Sequence, residues 1–118
     1  MQGFKSFMLQ EEDGSATLDT TSLASGINFY SAGPEHSYLK SIGRVKFVYE
    51  SDEAAFETFQ LLCKTEGILP AFEPSFSTAY AIKLAKKMSK DDIIVTSVCG
   101  RGDKDLDTAV EMLGDTLG

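Results

Sequence analysis

The sequence predicts an α/β fold in three layers, in which helices flank a small and mostly parallel sheet. From residue 44 onward, short apolar runs alternate with helix-type segments in the order strand–helix–strand–helix–strand–helix, which is typical of right-handed βαβ crossovers. The run 93–98 (IIVTSV) is rich in β-branched residues, as in a parallel strand buried on both faces. With 118 residues, of which 42% are hydrophobic, the chain suits a single domain with a modest core.

Residues 1–43 are predicted to form a strand, a long loop and a short helix. The apolar-rich run 4–10 reads as the strand, and it ends before an acidic turn that contains Gly14. Residues 15–33 are rich in Ser, Thr, Gly and Ala without a lasting period, which indicates a long loop, and loops of that length are often functional. Pro34 suits the first turn of a helix that we expect to end at Gly43.

Residues 44–118 are predicted to alternate between strand and helix. Residues 45–49 read as a strand, and Ser51 or Asp52 caps the helix that follows. Gly67 ends that helix. One face of the helix carries the apolar residues Ala55, Phe56, Phe59, Leu62 and Cys63.

The second half of this region continues the same alternation. Residues 68–72 form a short apolar run that we interpret as a strand, and Ser75 or Ser77 opens the next helix. After the β-branched run, a glycine-containing turn over residues 100–105 leads to a last helix.

Composition and charge exclude several classes of protein. The net charge of −7 disfavours binding to nucleic acid or to an anionic membrane surface. No apolar run approaches the ~20 residues that a membrane span requires. Cys63 and Cys99 stand alone in sequence, so neither a structural zinc site nor a disulfide framework is indicated. We expect a cytoplasmic, reduced protein.

Three separated segments carry a family resemblance. They are residues 25–39, which include SGINF and SAGPEHSYL, residues 66–73 (EGILPAFE) and residues 100–105 (GRGDKD). These are similar to the S-A-G-L-D-Y and G-P-E-H-x-Y-L runs, to E-G-I-I-P-A-L-E and to S-G-R-G-D-K-D of the tryptophan synthase β family, a fold-type-II pyridoxal-phosphate group. Because all three occur in the family's order at nearly its spacing, the chain resembles the C-terminal portion of that subunit.

The resemblance implies a pyridoxal-phosphate-dependent β-replacement that joins indole and L-serine to give L-tryptophan, with the cofactor as electron sink. It also implies three partners, namely the upstream remainder of the β subunit, a second β subunit and an α subunit. In family terms the Schiff-base lysine and the glycine-rich phosphate loop lie upstream of Met1. We therefore expect the isolated chain neither to hold the cofactor stably nor to catalyse the reaction.

Two alternatives remain open from sequence. The chain is either a piece of a larger enzyme or a naturally truncated or split, non-catalytic α/β module that binds a partner. An unrelated small α/β domain would require three coincidental motif matches. In both of the related readings we expect an exposed apolar patch that favours self-association.

The resemblance places three candidate residues beside the cofactor. Glu73 matches a glutamate implicated in the chemistry, and it would end a predicted parallel strand, where open α/β sheets bind ligands; the alternative is a solvated carboxylate. Cys99 stands where the family has a serine facing the pyridine nitrogen, and a thiol is a weaker donor than a hydroxyl. The alternative is a small residue that ends a strand. Gly100 follows in the same cofactor-binding segment.

Three further candidates come from the long loop. Asn28 replaces an aspartate that, in the family, helps to close the site and bonds the hydroxyl of substrate serine, so the amino-acid substrate stays open. Phe29 and Ser31 match positions whose backbone carbonyls help to hold a monovalent cation.

Lys104 is a candidate partner of Glu73, whose pKa such a pairing would lower.

Overall fold

The computed structural model describes residues 3–117, and the side chains of residues 3–114. The chain is 47% helical. Its helices are α1 (Pro34–Ser41), α2 (Asp52–Glu66), α3 (Phe72–Ala85) and α4 (Leu106–Leu117), together with short 3-10 helices at Ser25–Ile27 and Gly102–Asp105.

The prediction of a three-layer α/β fold with a parallel sheet is wrong. Residues 3–117 contain no strand and no sheet. Isolated antiparallel bridges pair Met8 with Ser31 and Gln10 with Thr17. The predicted strands over residues 4–10, 45–49, 68–72 and 93–98 are therefore not formed within the described part of the chain.

The physical reason is that an apolar, β-branched run becomes a strand only where a neighbouring strand supplies backbone partners and a packing surface. Residues 45–49 and 93–98 belong to no helix, and most of their side chains are exposed. The run 68–72 is divided instead, because α3 begins at Phe72. Pro74 is tolerated in the first turn of a helix, so the proline-containing segment that reads as a strand end is a helix start.

The chain divides into two compact units, Met1–Val48 and Tyr49–Gly118. In the first unit, α1 begins at Pro34 as predicted and ends at Ser41, two residues before the predicted Gly43. The backbone N–H of Phe7 donates to Ser37 Oγ at 3.0 Å. The ammonium of Lys40 lies 4.7 Å from the centre of the Phe7 ring, a cation–π distance. These contacts join Phe7 to α1.

In the second unit, α2 has the bounds that the sequence predicts. Ser51 is its N-cap, and its side chain accepts a hydrogen bond from the N–H of Ala54. Gly67 ends α2 in the left-handed conformation with φ 66°, which glycine adopts without a steric penalty. Both ends are defined by local chemistry, and both predictions are confirmed.

The core of the second unit lies between α2 and α3. Phe56 and Phe59 of α2 are stacked at 6.1 Å between ring centres, and Phe59 lies 5.1 Å from the ring of Phe72 at the start of α3. All three rings are buried, and aromatic pairs at such distances stabilise a core beyond their buried area. This cluster fixes the first turn of α3, which carries Glu73. No helix in the described range is long and apolar enough to cross a membrane.

Candidate functional site

Glu73 lies in the first turn of α3, so its predicted place at the end of a strand is wrong. The ammonium of Lys104 lies 3.1 Å from Glu73 Oε1 and 3.0 Å from Oε2. The pairing of these two side chains, which the sequence raised as a possibility, is therefore present. Because a carboxylate in the first turn also faces the positive end of the helix dipole, the location favours the charged form of Glu73.

Asp105 joins this pair to the backbone. Its Oδ2 accepts a hydrogen bond from the N–H of Phe72 at 2.9 Å, and this bond is buried. The ammonium of Lys104 lies 2.7 Å from Asp105 Oδ1 and 2.8 Å from Oδ2. Asp105 thus satisfies one of the free N–H groups at the start of α3 and holds the lysine at the same time.

The protonation state of Lys104 follows from these contacts. Desolvation lowers the pKa of Lys104, but hydrogen bonds and charge interactions with Asp105 and Glu73 outweigh it and raise that pKa above its ordinary value of 10.5. Lys104 is therefore an ammonium at neutral pH. A nucleophilic amine needs the opposite shift, so this environment does not suit a Schiff-base lysine.

The loop that carries Cys99 and Gly100 approaches the start of α3 closely. A Cβ added at Gly102 would lie 2.2 Å from the carbonyl oxygen of Pro70 and 2.7 Å from that of Leu69. A Cβ at Gly100, where φ is +80°, would lie 3.3 Å from Ala71 Cβ. This contact brings Cys99, Gly100 and Glu73 into one region of the second unit, and the thiol of Cys99 is free and on an exposed residue.

Asn28 lies in the first unit, directly after the 3-10 helix Ser25–Ile27, and its N–H donates to the carbonyl of Ser25 at 3.3 Å. Its side-chain Oδ1 is buried and has no hydrogen-bond partner within the described residues. An acceptor that is buried without a donor costs free energy. The arrangement therefore leaves an acceptor that a donor from a ligand or from another chain segment would satisfy.

Phe29 and Ser31 follow Asn28 in the same segment. The hydrogen bonds that flank Ser31, from Leu9 N–H to Tyr30 O and from Ala32 N–H to Phe7 O, define an antiparallel bridge to Met8. In such a bridge the N–H and C=O of Ser31 itself point away from the partner segment. No cluster of three His, Cys, Asp or Glu side chains that suits a metal ion occurs among the described residues.

The structure thus groups Glu73, Cys99 and Gly100 in the second unit, whereas Asn28, Phe29 and Ser31 lie in the first. Sequence reasoning missed Asp105, the residue that links the loop to α3. Its contact with Phe72 spans 33 positions along the chain. A signal did exist, because an acidic residue directly after a lysine that pairs with Glu73 is placed to share the same ammonium.

Comparison with known proteins gives the class first. No model of a protein family matches the chain, yet the chain is similar over nearly its whole length to tryptophan synthase beta chains. The resemblance inferred from the three motifs is therefore confirmed, and the sequence matches the C-terminal portion of that subunit.

Three particular relatives define the similarity. The tryptophan synthase beta chain of Allorhizobium ampelinum is 48% identical over 114 residues, which cover 97% of this chain and 28% of the relative. The beta chain of Ruegeria pomeroyi is 45% identical, with 97% and 27% covered. That of Polaromonas naphthalenivorans is 44% identical, with 97% and 26% covered. The chain thus spans about a quarter of the length of these relatives.

Proposed function

We propose that these residues act as the C-terminal portion of a tryptophan synthase beta chain, which joins indole and L-serine to give L-tryptophan. The carrying observation is the identity of 44% to 48% over 97% of the chain. Because the chain spans about a quarter of those relatives, the activity belongs to a larger whole. Its partners are the upstream remainder of the beta chain, a second beta chain and an alpha subunit, in the cytoplasm.

Pyridoxal phosphate is the cofactor of this proposal, and when bound it supplies an electron sink for chemistry at the α- and β-carbons of an amino acid. The loop of Cys99 and Gly100 forms one edge of the cofactor site in this proposal. The support is that the backbone at Gly100 and Gly102 lies close against residues 69–71, next to Glu73. In this role the Cys99 thiol is a weak neutral donor for the pyridine nitrogen. In this proposal the phosphate-binding loop and the Schiff-base lysine belong to the upstream remainder.

Two side chains act on the substrate in this proposal. The carboxylate of Glu73, held by Lys104, accepts a proton near the reacting carbons and stabilises positive charge there. The unpaired Oδ1 of Asn28 accepts a hydrogen bond from the hydroxyl of L-serine and so orients the leaving group. The carbonyls of Phe29 and Ser31 contribute to a monovalent-cation site, for which the outward direction of the Ser31 carbonyl is suitable.

A chimera tests this function directly. The matching portion of the Allorhizobium ampelinum beta chain is replaced by these 118 residues, and tryptophan formation from indole and L-serine is measured together with cofactor absorbance. We expect bound cofactor and tryptophan synthesis, and a large loss of kcat in a Glu73→Gln chimera that still binds the cofactor. A folded chimera that binds the cofactor and makes no tryptophan would contradict the proposal and favour a non-catalytic role.

The role of Asn28 has a separate test in the same chimera. Asn28→Ala removes the acceptor for the substrate hydroxyl, so kcat/KM for L-serine should fall about tenfold, the loss of roughly one hydrogen bond. β-Chloro-L-alanine lacks the hydroxyl, and its kcat/KM should change little. Asn28→Asp restores an acceptor and should retain activity with L-serine. Equal losses with both substrates would show that Asn28 does not contact the hydroxyl.

A further inference from the structure

We infer that Lys104 is a positioning residue that holds the Glu73 carboxylate ionised and in one orientation, and that Asp105 fixes the lysine in that place. The inference deepens the proposed function and depends on it only for the use that Glu73 makes of its charge. Glu73 then acts as an acceptor of protons, and not as a donor, at the start of a reaction.

The contacts among Phe72, Glu73, Lys104 and Asp105 form a closed cycle, called here the contact cycle. Asp105 Oδ2 accepts from the N–H of Phe72 at 2.9 Å, Phe72 is joined to Glu73 by a peptide bond, and Glu73 Oε2 lies 3.0 Å from the ammonium of Lys104. The ammonium of Lys104 also lies 2.7 Å from Asp105 Oδ1, which completes the contact cycle. Because the phenyl group of Phe72 is buried against α2, one side of the contact cycle is anchored in the core.

Partial burial of the three charged side chains strengthens their electrostatic interaction. The side chains of Glu73, Asp105 and Lys104 are 21%, 10% and 35% exposed, so water screens their interaction less than at an open surface. Two carboxylates share one ammonium. Removal of the positive charge would leave the carboxylates facing each other, and like charges at short range favour protonation of one of them.

Two neighbouring cations, Arg101 and Lys83, pair with other carboxylates. Arg101, on the same loop, is exposed and pairs with Asp103 at 3.5 Å. Lys83, on the same helix as Glu73, donates to both carboxylate oxygens of Glu50 at 2.9 and 3.1 Å. Lys104 is the cation whose contact with both carboxylate oxygens of Glu73 is observed, while Lys83 offers a matched control on the same helix.

The experiment is a carbon-13 NMR titration of the Glu73 side-chain carboxyl in the 118-residue chain without cofactor or substrate. In Lys104→Met, which keeps the length of the side chain and removes its charge, we expect the pKa of Glu73 to rise relative to that of the parent chain. Lys83→Met breaks the pair between Lys83 of α3 and Glu50 and should leave the pKa of Glu73 unchanged. Lys104→Arg restores a cation and should return the titration toward the parent.

The outcomes separate the inference from the proposed function. An unchanged Glu73 titration in folded Lys104→Met, or an equal shift in Lys83→Met, would overturn the inference. If Lys104→Met does not give a folded chain by circular dichroism, Lys104→Gln makes the same comparison with a polar neutral side chain. The NMR titration needs no cofactor. The inference about Lys104 can therefore be overturned while the chimera makes tryptophan, and it can be supported while the chimera makes none.

Discussion

At the scale of single residues, Gly102 decides how closely the loop after residue 99 approaches the start of α3. A Cβ there would meet two backbone carbonyl oxygens, at 2.2 Å from Pro70 and 2.7 Å from Leu69. Backbone atoms cannot give way as a flexible side chain can. Gly102→Ala is therefore expected to lower the free energy of unfolding by about 1–3 kcal/mol, as overpacking does elsewhere, measured by urea denaturation.

Gly114→Ala is the matched control, because a Cβ at Gly114 meets nothing within 4 Å. Gly114 lies inside α4, where alanine has the higher helix propensity, so this variant should gain up to about 1 kcal/mol. Equal effects of the two variants would show that the close approach at Gly102 does not exist in solution.

Thr78 presents the opposite situation, a buried hydroxyl without a hydrogen-bond partner among the described residues. Thr78→Val keeps the shape of the side chain and removes the unsatisfied polar group, so the unfolding free energy should stay the same or rise by up to about 1 kcal/mol. Thr58 is equally buried, and its hydroxyl donates to the carbonyl of Ala54 at 2.8 Å. Thr58→Val should therefore lose about 1 kcal/mol, and thermal or urea melts compare the two.

The candidate site residues came from sequence only as far as the motif matches reach. Residues 66–73 suggested Glu73 as a candidate, and the position directly before residues 100–105 suggested Cys99. Of the contacts raised from sequence, the pairing of Lys104 with Glu73 is observed. Asp105 was not found, because its contact with the N–H of Phe72 depends on how two distant segments approach each other. A turn or a helix cap depends on residues that are neighbours in sequence, whereas the contact between Asp105 and Phe72 depends on the tertiary fold.

At the scale of elements, α2 shows which features local chemistry determines. Ser51 caps its first turn through Ala54 N–H, and Gly67 supplies the left-handed end; both were predicted because caps depend on adjacent residues. The sheet was predicted wrongly because residues 45–49 and 93–98 have the composition of strands but no neighbouring strand within the described range. Strand pairing depends on partners outside the segment.

The N-terminus of α2 carries a prediction about pH. A hydrogen bond from the backbone N–H of Glu53 to its own carboxylate lowers the pKa of that carboxyl below its ordinary value of 4.5. A hydrogen bond from the hydroxyl of Ser51 lowers this pKa further. A lowered folded-state pKa contributes stability above pH 4.5, which is lost as the pH falls through the folded-state value. Ser51→Ala should raise the pKa of Glu53 toward its ordinary value and lower the unfolding free energy by about 1 kcal/mol through loss of the cap.

Glu53→Gln separates the two contributions. It removes the titrating group and keeps the cap, so its unfolding free energy should depend less on pH below 4.5 than that of the parent. Denaturation curves at several acidic pH values, with NMR titration of Glu53, measure both effects. A Glu53 titration that is the same in Ser51→Ala and in the parent would show that the Ser51 hydroxyl does not stabilise the carboxylate.

At the scale of the whole molecule, large apolar side chains remain exposed in numbers that a self-sufficient domain rarely shows. In the run 93–98, Ile93 is 85% and Val95 is 90% exposed. The apolar residues Leu106, Val110 and Leu113 of α4 are also exposed. This distribution is what we expect of residues that normally pack against other parts of a larger assembly, as proposed from the coverage of the relatives.

The chain on its own is therefore expected to self-associate. Burial of apolar surface drives association without requiring specific partners, so the apparent mass should rise with protein concentration in sedimentation velocity experiments, and addition of salt should not reverse it. Replacing Ile93 and Val95 together by lysine should shift the chain toward the monomer, because both side chains are almost fully exposed and make few internal contacts. The same two substitutions should leave the circular dichroism of the helices unchanged. A monomer over a wide range of concentration in the parent chain would show instead that the exposed run does not drive association, and that its apolar side chains are tolerated in water.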